Sequence, residues 1–335
     1  MEPKPTNLGS SLLVPSVQEL AKEPLSTVPS RYVRFDQDPP IISKTTCLPE
    51  VPVIDLTKLF SEDFKDFELE KFHSACKNWG FFQIINHGVS PSLVEKVKTG
   101  IQEFFNLPME EKRKFWQQTG DVEGFGQAFV VSDEQKLDWA DIFFMIILPA
   151  HMRKPHLFPQ LPLPFRETLE SYSTEMKNLA MKILDFIAES LKIDDNYIEE
   201  LFEEGLQSMR MNYYPPCPQP DLVIGLNPHS DAPFLSAFIV NIGDILEIMT
   251  NGIYRSIEHR ATINSEKERL SVATFYSPKV DGNIGPASSL ITPETPALFK
   301  RIGVADYLKG LFSRELRGKS YVDVLRIKNE DVKSI

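Results

Sequence analysis

Cysteine is scarce in this sequence: Cys47, Cys76 and Cys217 are the only three, and they stand far apart. That spacing excludes a disulfide framework and a C-x-x-C metal site, and it fits reduced thiols. Basic charge is also short. Lys and Arg number 36 against 47 Asp and Glu, a net charge of −11. The cations form no stripe that could track a phosphate backbone, so no nucleic-acid partner is expected. The short run Lys112-Arg113-Lys114 reads as a solvated helix face. Long apolar runs are missing as well. The longest, Ile142 to Leu148, is far too short to cross a bilayer, and the N-terminus has no continuous apolar stretch of secretory type. No membrane partner and a cytoplasmic address are therefore expected.

What is present is the composition of a globular protein, 42% hydrophobic and 25% charged. The first fifty residues are rich in Pro, Ser and Thr, with only Ser16 to Lys22 briefly helical, and read as an extended arm. Val51 to Leu56 and Phe81 to Asn86 read as strands flanking a helix that runs from Leu69 to Asn78 and stops at Gly80. Ser90 is placed to cap a helix through Phe105, with Pro91 at its first position. Phe165 to Leu191 is the clearest amphipathic helix, with Leu169, Tyr172, Met176, Leu179, Ile183 and Phe186 at helical intervals. Trp79 and Phe81 are expected in the core, and Trp139 and Asp141 in packing and hydrogen bonding.

From Met209 onward, short β-prone runs alternate with Pro and Gly turns. Asn251-Gly252 is a hairpin signal, which pairs Ile245–Met249 with Ile253–Ile263. Along Arg255 to Ile263, alternation puts Ile257, His259, Ala261 and Ile263 on one, inward face. Along Arg269 to Tyr276 it puts Arg269 and Ser271 on one face. An inward guanidinium needs an anion, and its fork matches a carboxylate with two parallel hydrogen bonds. His229 and Asp231, in the stretch "PHSD", add a His and a carboxylate two residues apart. With His259 they make a two-His, one-carboxylate set. Such a set with open positions suits Fe(II), and zinc accepts the same ligands. Arg269 and Ser271 tilt the choice toward iron, because they would hold the far carboxylate of a dicarboxylate that chelates the metal at its other end. Each feature alone is weak; their order in one chain is the signal.

These residues sit in motifs that resemble those of the plant 2-oxoglutarate- and iron(II)-dependent dioxygenases. The matching stretches are "WGFFQIINHGV", "FFNLPMEEK", "EGFGQAFV", "LDWAD", "RMNYYPPCPQPD", "GLNPHSD", "NIGDILEIMTNGIYRSIEHR" and "ERLSVATF". The likeness runs from about Val14 to Ile327 and is greatest to the senescence-related dioxygenase and alkaloid O-demethylase branch. It implies an α+β fold with a double-stranded β-helix, or jelly-roll, core wrapped by helices. It implies His229, Asp231 and His259 as iron ligands, and Arg269 and Ser271, with Tyr214 and Asn212 nearby, as the 2-oxoglutarate site. It implies Fe(II), 2-oxoglutarate as co-substrate, ascorbate as supporting reductant and O₂. The implied substrate is a small flavonoid, coumarin or alkaloid, hydroxylated or O-demethylated. Phe125 and Val130, in the loop Gly124–Val130, and Phe275 are the expected substrate contacts. His87 is expected in a structural turn.

The expected regions are an arm at 1–50, an N-terminal dioxygenase region at 51–160, a long helix and connector at 161–205, a shortened catalytic core at 206–300 and a C-terminal tail at 301–335. The core is short because the family carries about three more strands after its H-x-D motif. Here only residues 232–236 separate Asp231 from Ala237, and His259 follows Asp231 by 28 residues. A jelly roll uses about eight strands, and those read here are Met209–Tyr214, Leu222–Leu226, Ala237–Met249, Ile253–Ile263 and Glu268–Tyr276, so an incomplete core is expected. A shortened splice or gene-model product and a paralogue that folds around the gap leave the same trace. The alternative to a working oxygenase is a catalytically impaired form with partial iron binding.

Overall fold

A computed structural model of the protein describes Gly9 and residues 11–23, 25–35, 50–229, 238–315 and 318–327, with the backbone alone at 195, 227–229 and 320. In chain order the main strands are β1 (Val53–Asp55), β2 (Phe81–Ile85), β3 (Gly124–Gly126), β4 (Asp141–Leu148), β5 (Leu206–Tyr214), β6 (Leu226–His229), β7 (Phe238–Asn241), β8 (His259–Ala261) and β9 (Arg269–Ser277). The longer helices are α1 (Lys65–Asn78), α2 (Pro91–Asn106), α3 (Leu163–Leu191), α4 (Asp195–Phe202), α5 (Asp244–Met249) and α6 (Val304–Phe312).

The apolar run Ile142–Leu148 becomes β4, the strand between β3 and β5, and its residues are buried on both faces from Asp141 to Ile147. A strand covered on both sides has no solvent face to mark with polar residues, which is why its sequence does not alternate. β3, β4, β5 and β9 form one antiparallel sheet in that order. β1 and β2 pair in parallel, and β7 adds antiparallel to β2, with Phe82 opposite Val240. β6 and β8 make a separate antiparallel pair. Helix α3 lays the expected stripe, Leu169, Tyr172, Met176, Leu179, Ile183 and Phe186, into the main core. Helix α1 adds Phe72, whose ring meets Phe82 edge-on at 5.3 Å.

Four local expectations change. Residues 244–249 form helix α5, not a hairpin strand. Asn251 and Gly252 both have positive φ, and the Gly252 N–H donates to the Glu247 carbonyl at 2.8 Å. The same left-handed pair that closes a hairpin closes a helix, so Asn-Gly acts here as a helix C-cap. The strand expected at Leu222–Leu226 begins only at Leu226, after a 3₁₀ turn at Pro220–Leu222. Trp79 and Phe81 are half-buried; the core positions are their neighbours Phe82 and Ile84. Ser90 holds the N-cap position of α2 but makes no side-chain cap bond.

The N-terminal arm is docked rather than free. Val14, Val17, Val28 and Tyr32 pack with Trp139, Cys217 and Val223 in a small cluster of their own. Asp141 is fully buried beneath it. Its carboxylate accepts from the Ser16 hydroxyl at 2.6 Å and from the Val17 and Gln18 N–H groups at 2.7 and 3.0 Å. Burial pushes its carboxyl upward, and those three donors with nearby Lys112 oppose that. Asp141→Ala leaves the donors without a partner, at about 1–3 kcal/mol for each that stays dry. The expected result is faster proteolysis within residues 11–35, with the core fragment persisting. An unchanged cleavage rate there contradicts this role.

Glu247 on α5 does a similar job for the C-terminal tail. It is buried, accepts from the Ser256 N–H at 2.8 Å and is ion-paired with Lys319 and Arg326. These contacts hold the short helix at Ser320–Val324 against the wall of the cavity described next.

Candidate functional site

The register between β5 and β9 assembles the first part of the site. Tyr214 lies opposite Arg269, Asn212 opposite Ser271, and Arg210 opposite Ala273. Cross-strand partners present their side chains to the same face, so the alternation in "RMNYY" and "RLSVATF" puts these polar groups together. Arg210, Asn212, Tyr214 and Ser271 are buried, and Arg269 is half-buried.

Their hydrogen bonds have one direction. The Arg210 Nε donates to Asn212 Oδ1 at 3.0 Å, which fixes the amide so that Nδ2 donates to Ser271 Oγ at 3.0 Å. With a donor already supplied from Asn212, the Ser271 hydroxyl is set to donate its own hydrogen. Tyr214 Oη lies 3.3 Å from Ser271 Oγ, and the Arg269 guanidinium sits over the Tyr214 ring at 5.1 Å. Burial pushes the Tyr214 hydroxyl upward, against the pull of Ser271, Arg210 and Arg269, so it stays protonated and able to donate. Among the described residues, Arg269 has no ion pair with a carboxylate. A half-buried guanidinium over the Tyr214 ring, with the Tyr214 and Ser271 hydroxyls paired nearby, suits an anionic oxygen group. Arg210 was not singled out from sequence. Its signal was available: the one charged residue of β5, on the same face as Asn212 and Tyr214.

The second part is the histidine pair. The backbones of His229 and His259 are Cα partners across β6 and β8. Such partners lie about 4.5–5.5 Å apart at Cα, close enough for two residues to serve one site. Burial holds His259 down at about 4, with a hydrogen bond to the Ile257 backbone pulling the other way. Its imidazole is neutral near pH 7, the form that binds a metal. Asp231 lies outside the described residues, as does the side chain of His229, so the triad's convergence lies outside them too. The described residues alone hold no cluster of three His, Cys, Asp or Glu. His259 thus fits a metal ligand, and the Arg269 group fits a carboxylate.

The expected substrate contacts separate. Phe275 lines a cavity of about 410 Å³ that also touches Arg210. Phe125 is buried among Phe104 and Phe105, with the Lys112 ammonium over its ring at 5.5 Å. Val130 is buried in the arm cluster. Neither lines that cavity. The glycines of the loop suggest slack, but Gly124 has φ +127° and a Cβ there would meet the Gln117 backbone at 2.6 Å. The loop is pinned. His87 is structural: its Nδ1 accepts from the Val89 N–H at 3.2 Å, and its ring lies 4.4 Å from that of Phe238. Cys217 is buried and its thiol is pushed up by burial, which leaves it unreactive.

Comparison with known proteins bears on both parts. A family model described as "non-haem dioxygenase in morphine synthesis N-terminal" matches residues 51–161, and one described as "2OG-Fe(II) oxygenase superfamily" matches residues 205–237 and 235–278. The chain is 54% identical to oxoglutarate-dependent flavonoid 7-O-demethylase 1 of Ocimum basilicum, covering 96% of this chain and 93% of that one. It is 53% identical to codeine O-demethylase of Papaver somniferum, covering 96% and 98%. The fold is that of the crystal structure of JOX2 in complex with 2OG, Fe and JA, with a TM-score of 0.85 and 32% identity over 94% of this chain and 98% of that one. The alignment to the basil protein spans 352 positions but uses 96% of 335 residues, about 322, so about 30 of its positions face no residue here. The superfamily match breaks in two at 235–237, between β6 and β7.

Proposed function

The chain belongs to the 2OG-Fe(II) oxygenase superfamily, and from that premise we propose that it hydroxylates or O-demethylates a small plant phenolic or alkaloid. Its cofactor is Fe(II), its co-substrates are 2-oxoglutarate and O₂, and ascorbate is the supporting reductant. The choice of substrate class rests on the flavonoid and alkaloid demethylases among its relatives. A cytoplasmic setting agrees with the free, buried thiols of Cys76 and Cys217.

The observation that carries this reading is Arg269, half-buried, beside two hydroxyls and without a carboxylate partner among the described residues. In the proposed site His229, Asp231 and His259 hold iron, which when bound supplies O₂ activation coupled to the conversion of 2-oxoglutarate to succinate and CO₂. Arg269 takes the far carboxylate of 2-oxoglutarate with its two-pronged fork. Ser271 donates to the same carboxylate, aimed by Asn212, and Tyr214 backs both. Phe275 borders the space where an apolar substrate enters. The chain's task is to hold these groups in place and keep water out.

Arg210 contacts no carboxylate in this scheme; it orients Asn212. Arg210→Met frees the amide to turn and removes the aim of Ser271. The expected result is about a tenfold loss of 2-oxoglutarate affinity, one hydrogen bond's worth, by calorimetry. Unchanged affinity contradicts the proposed relay.

A second reading, slow or absent turnover with ligand binding kept, is favoured by the gap of about 30 positions after Asp231 and by the open cavity beside Phe275. One experiment separates the two: succinate release with Fe(II), ascorbate and a panel of flavonoids, coumarins and alkaloids. Substrate-dependent succinate supports the oxygenase. Tight 2-oxoglutarate binding without succinate supports the impaired form.

A further inference from the structure

The loop after β3 holds one residue in a conformation that its side chain disfavours. Phe129 has φ +65°, in the left-handed region, where a bulky residue is an outlier that its surroundings must hold in place. The hydrogen bonds that hold it come from two sides. The buried Ser11 hydroxyl donates to the Gln127 carbonyl at 2.7 Å and accepts from the Val130 N–H at 3.0 Å. The Leu12 N–H donates to the Val130 carbonyl at 2.8 Å. On the other flank, the Gln135 amide donates to the Phe129 carbonyl and accepts from the Val131 N–H, both at 2.8 Å. The N-terminal arm and Gln135 thus clamp the peptide groups around Phe129.

The clamp decides where the ring goes. Val130 turns into the arm cluster, while Phe129 stacks on Phe312, with the rings 5.2 Å apart and 14° from parallel. Phe312 also meets Phe144, at 5.8 Å. Phe144 lies opposite Arg210 in the register of β4 and β5. This aromatic group therefore stands on the sheet face that carries Arg210, Asn212 and Ser271. Phe144 and Phe312 are buried, whereas Phe129 is half-buried and lines the same cavity as Arg210 and Phe275.

We propose that Phe129 is the loop's contact with substrate, that it takes a planar aromatic ring, and that Ser11 of the arm is its positioning residue. The inference rests on the oxygenase reading above and deepens it. An aromatic ring offset over Phe129 extends the stack begun by Phe312, in the arrangement such pairs prefer. A flavone or the aryl ring of an alkaloid meets that demand; an aliphatic substrate gains only burial. Strain at a single residue is kept where a side chain must be aimed. Here the arm supplies the restraint, which makes it part of the site although none of its own side chains reaches the substrate.

The test reads binding, so it does not depend on turnover. A methoxylated flavone is titrated under argon into the chain loaded with Fe(II) and 2-oxoglutarate, and 2-oxoglutarate is titrated separately. Phe129→Gly suits the left-handed backbone and removes the ring without strain. It is expected to weaken flavone binding about tenfold and to leave 2-oxoglutarate affinity unchanged. Ser11→Ala is expected to weaken the flavone in the parent and to have no further effect in Phe129→Gly, since the two act through one ring. A loss from Ser11→Ala that is equal in both backgrounds marks a structural role for Ser11 and overturns the clamp. Flavone binding by Phe129→Gly equal to that of the parent overturns the contact while the substrate class stands. A parent chain that binds 2-oxoglutarate but no flavonoid, coumarin or alkaloid of the panel overturns the substrate class and the contact with it.

Discussion

Inserting a relative's segment of about 30 residues between Asp231 and Ala237 is expected to raise succinate formation by about 10²-fold, since mispositioning by ~1 Å at a reacting centre costs about that much. The reason is geometric. Phe275 and Arg210 line one cavity together with residues of β7 and β9, and the segment that the relatives carry is expected to complete its wall. A site that does not close also admits water, which weakens every electrostatic contact inside it. The same insertion re-covers Phe238, Val240, Val272 and Tyr276, all half-buried at present. Each large apolar side chain taken fully out of water contributes up to about 1.5–3 kcal/mol, against a total stability of about 5–15 kcal/mol. A higher melting temperature is therefore expected alongside the higher rate. The comparison is made on both purified forms with Fe(II), ascorbate and the same substrate panel. Equal turnover and equal melting temperature show that the gap costs the chain nothing.

Arg269 gives the second large effect. Arg269→Ala is expected to weaken 2-oxoglutarate binding by about 10²-fold or more, because a carboxylate that loses its guanidinium forfeits about 2–5 kcal/mol. Arg269→Lys keeps the charge and loses the fork, so an intermediate loss is expected, with the melting temperature close to that of the parent. Titration of 2-oxoglutarate by calorimetry reads both variants. If Arg269→Ala binds as the parent does, the anion site lies elsewhere.

Much of this site was legible from two-residue alternation. Arg269 and Ser271 share a face of β9 because strand side chains repeat every second residue, and the pairing with β5 brings Asn212 and Tyr214 to them. The stripe of α3 was legible because period 3.6 over a long helix is hard to mimic. Residues 244–252 were misread because Asn-Gly serves two backbone geometries alike, and only tertiary context chooses. Phe125 and Val130 pack away from the cavity beside Phe275 for a related reason. Glycines at 124 and 126 suggest freedom, while their positive φ and tight contact with Gln117 mark a fixed turn. The shortened core was legible only as a shortage of strands. How the remaining strands are arranged depends on strand order, and strand order is not written in local sequence.

The most direct test of the central claim measures 2-oxoglutarate affinity and succinate release on the same preparation of the chain. The account holds that the carboxylate site built by Arg269, Ser271, Asn212 and Tyr214 is intact while the wall beside it lacks the segment that the relatives carry. It predicts binding that needs Arg269, together with turnover far below that of the chain with the segment restored. Binding indifferent to Arg269, or turnover equal to that of the restored chain, contradicts it.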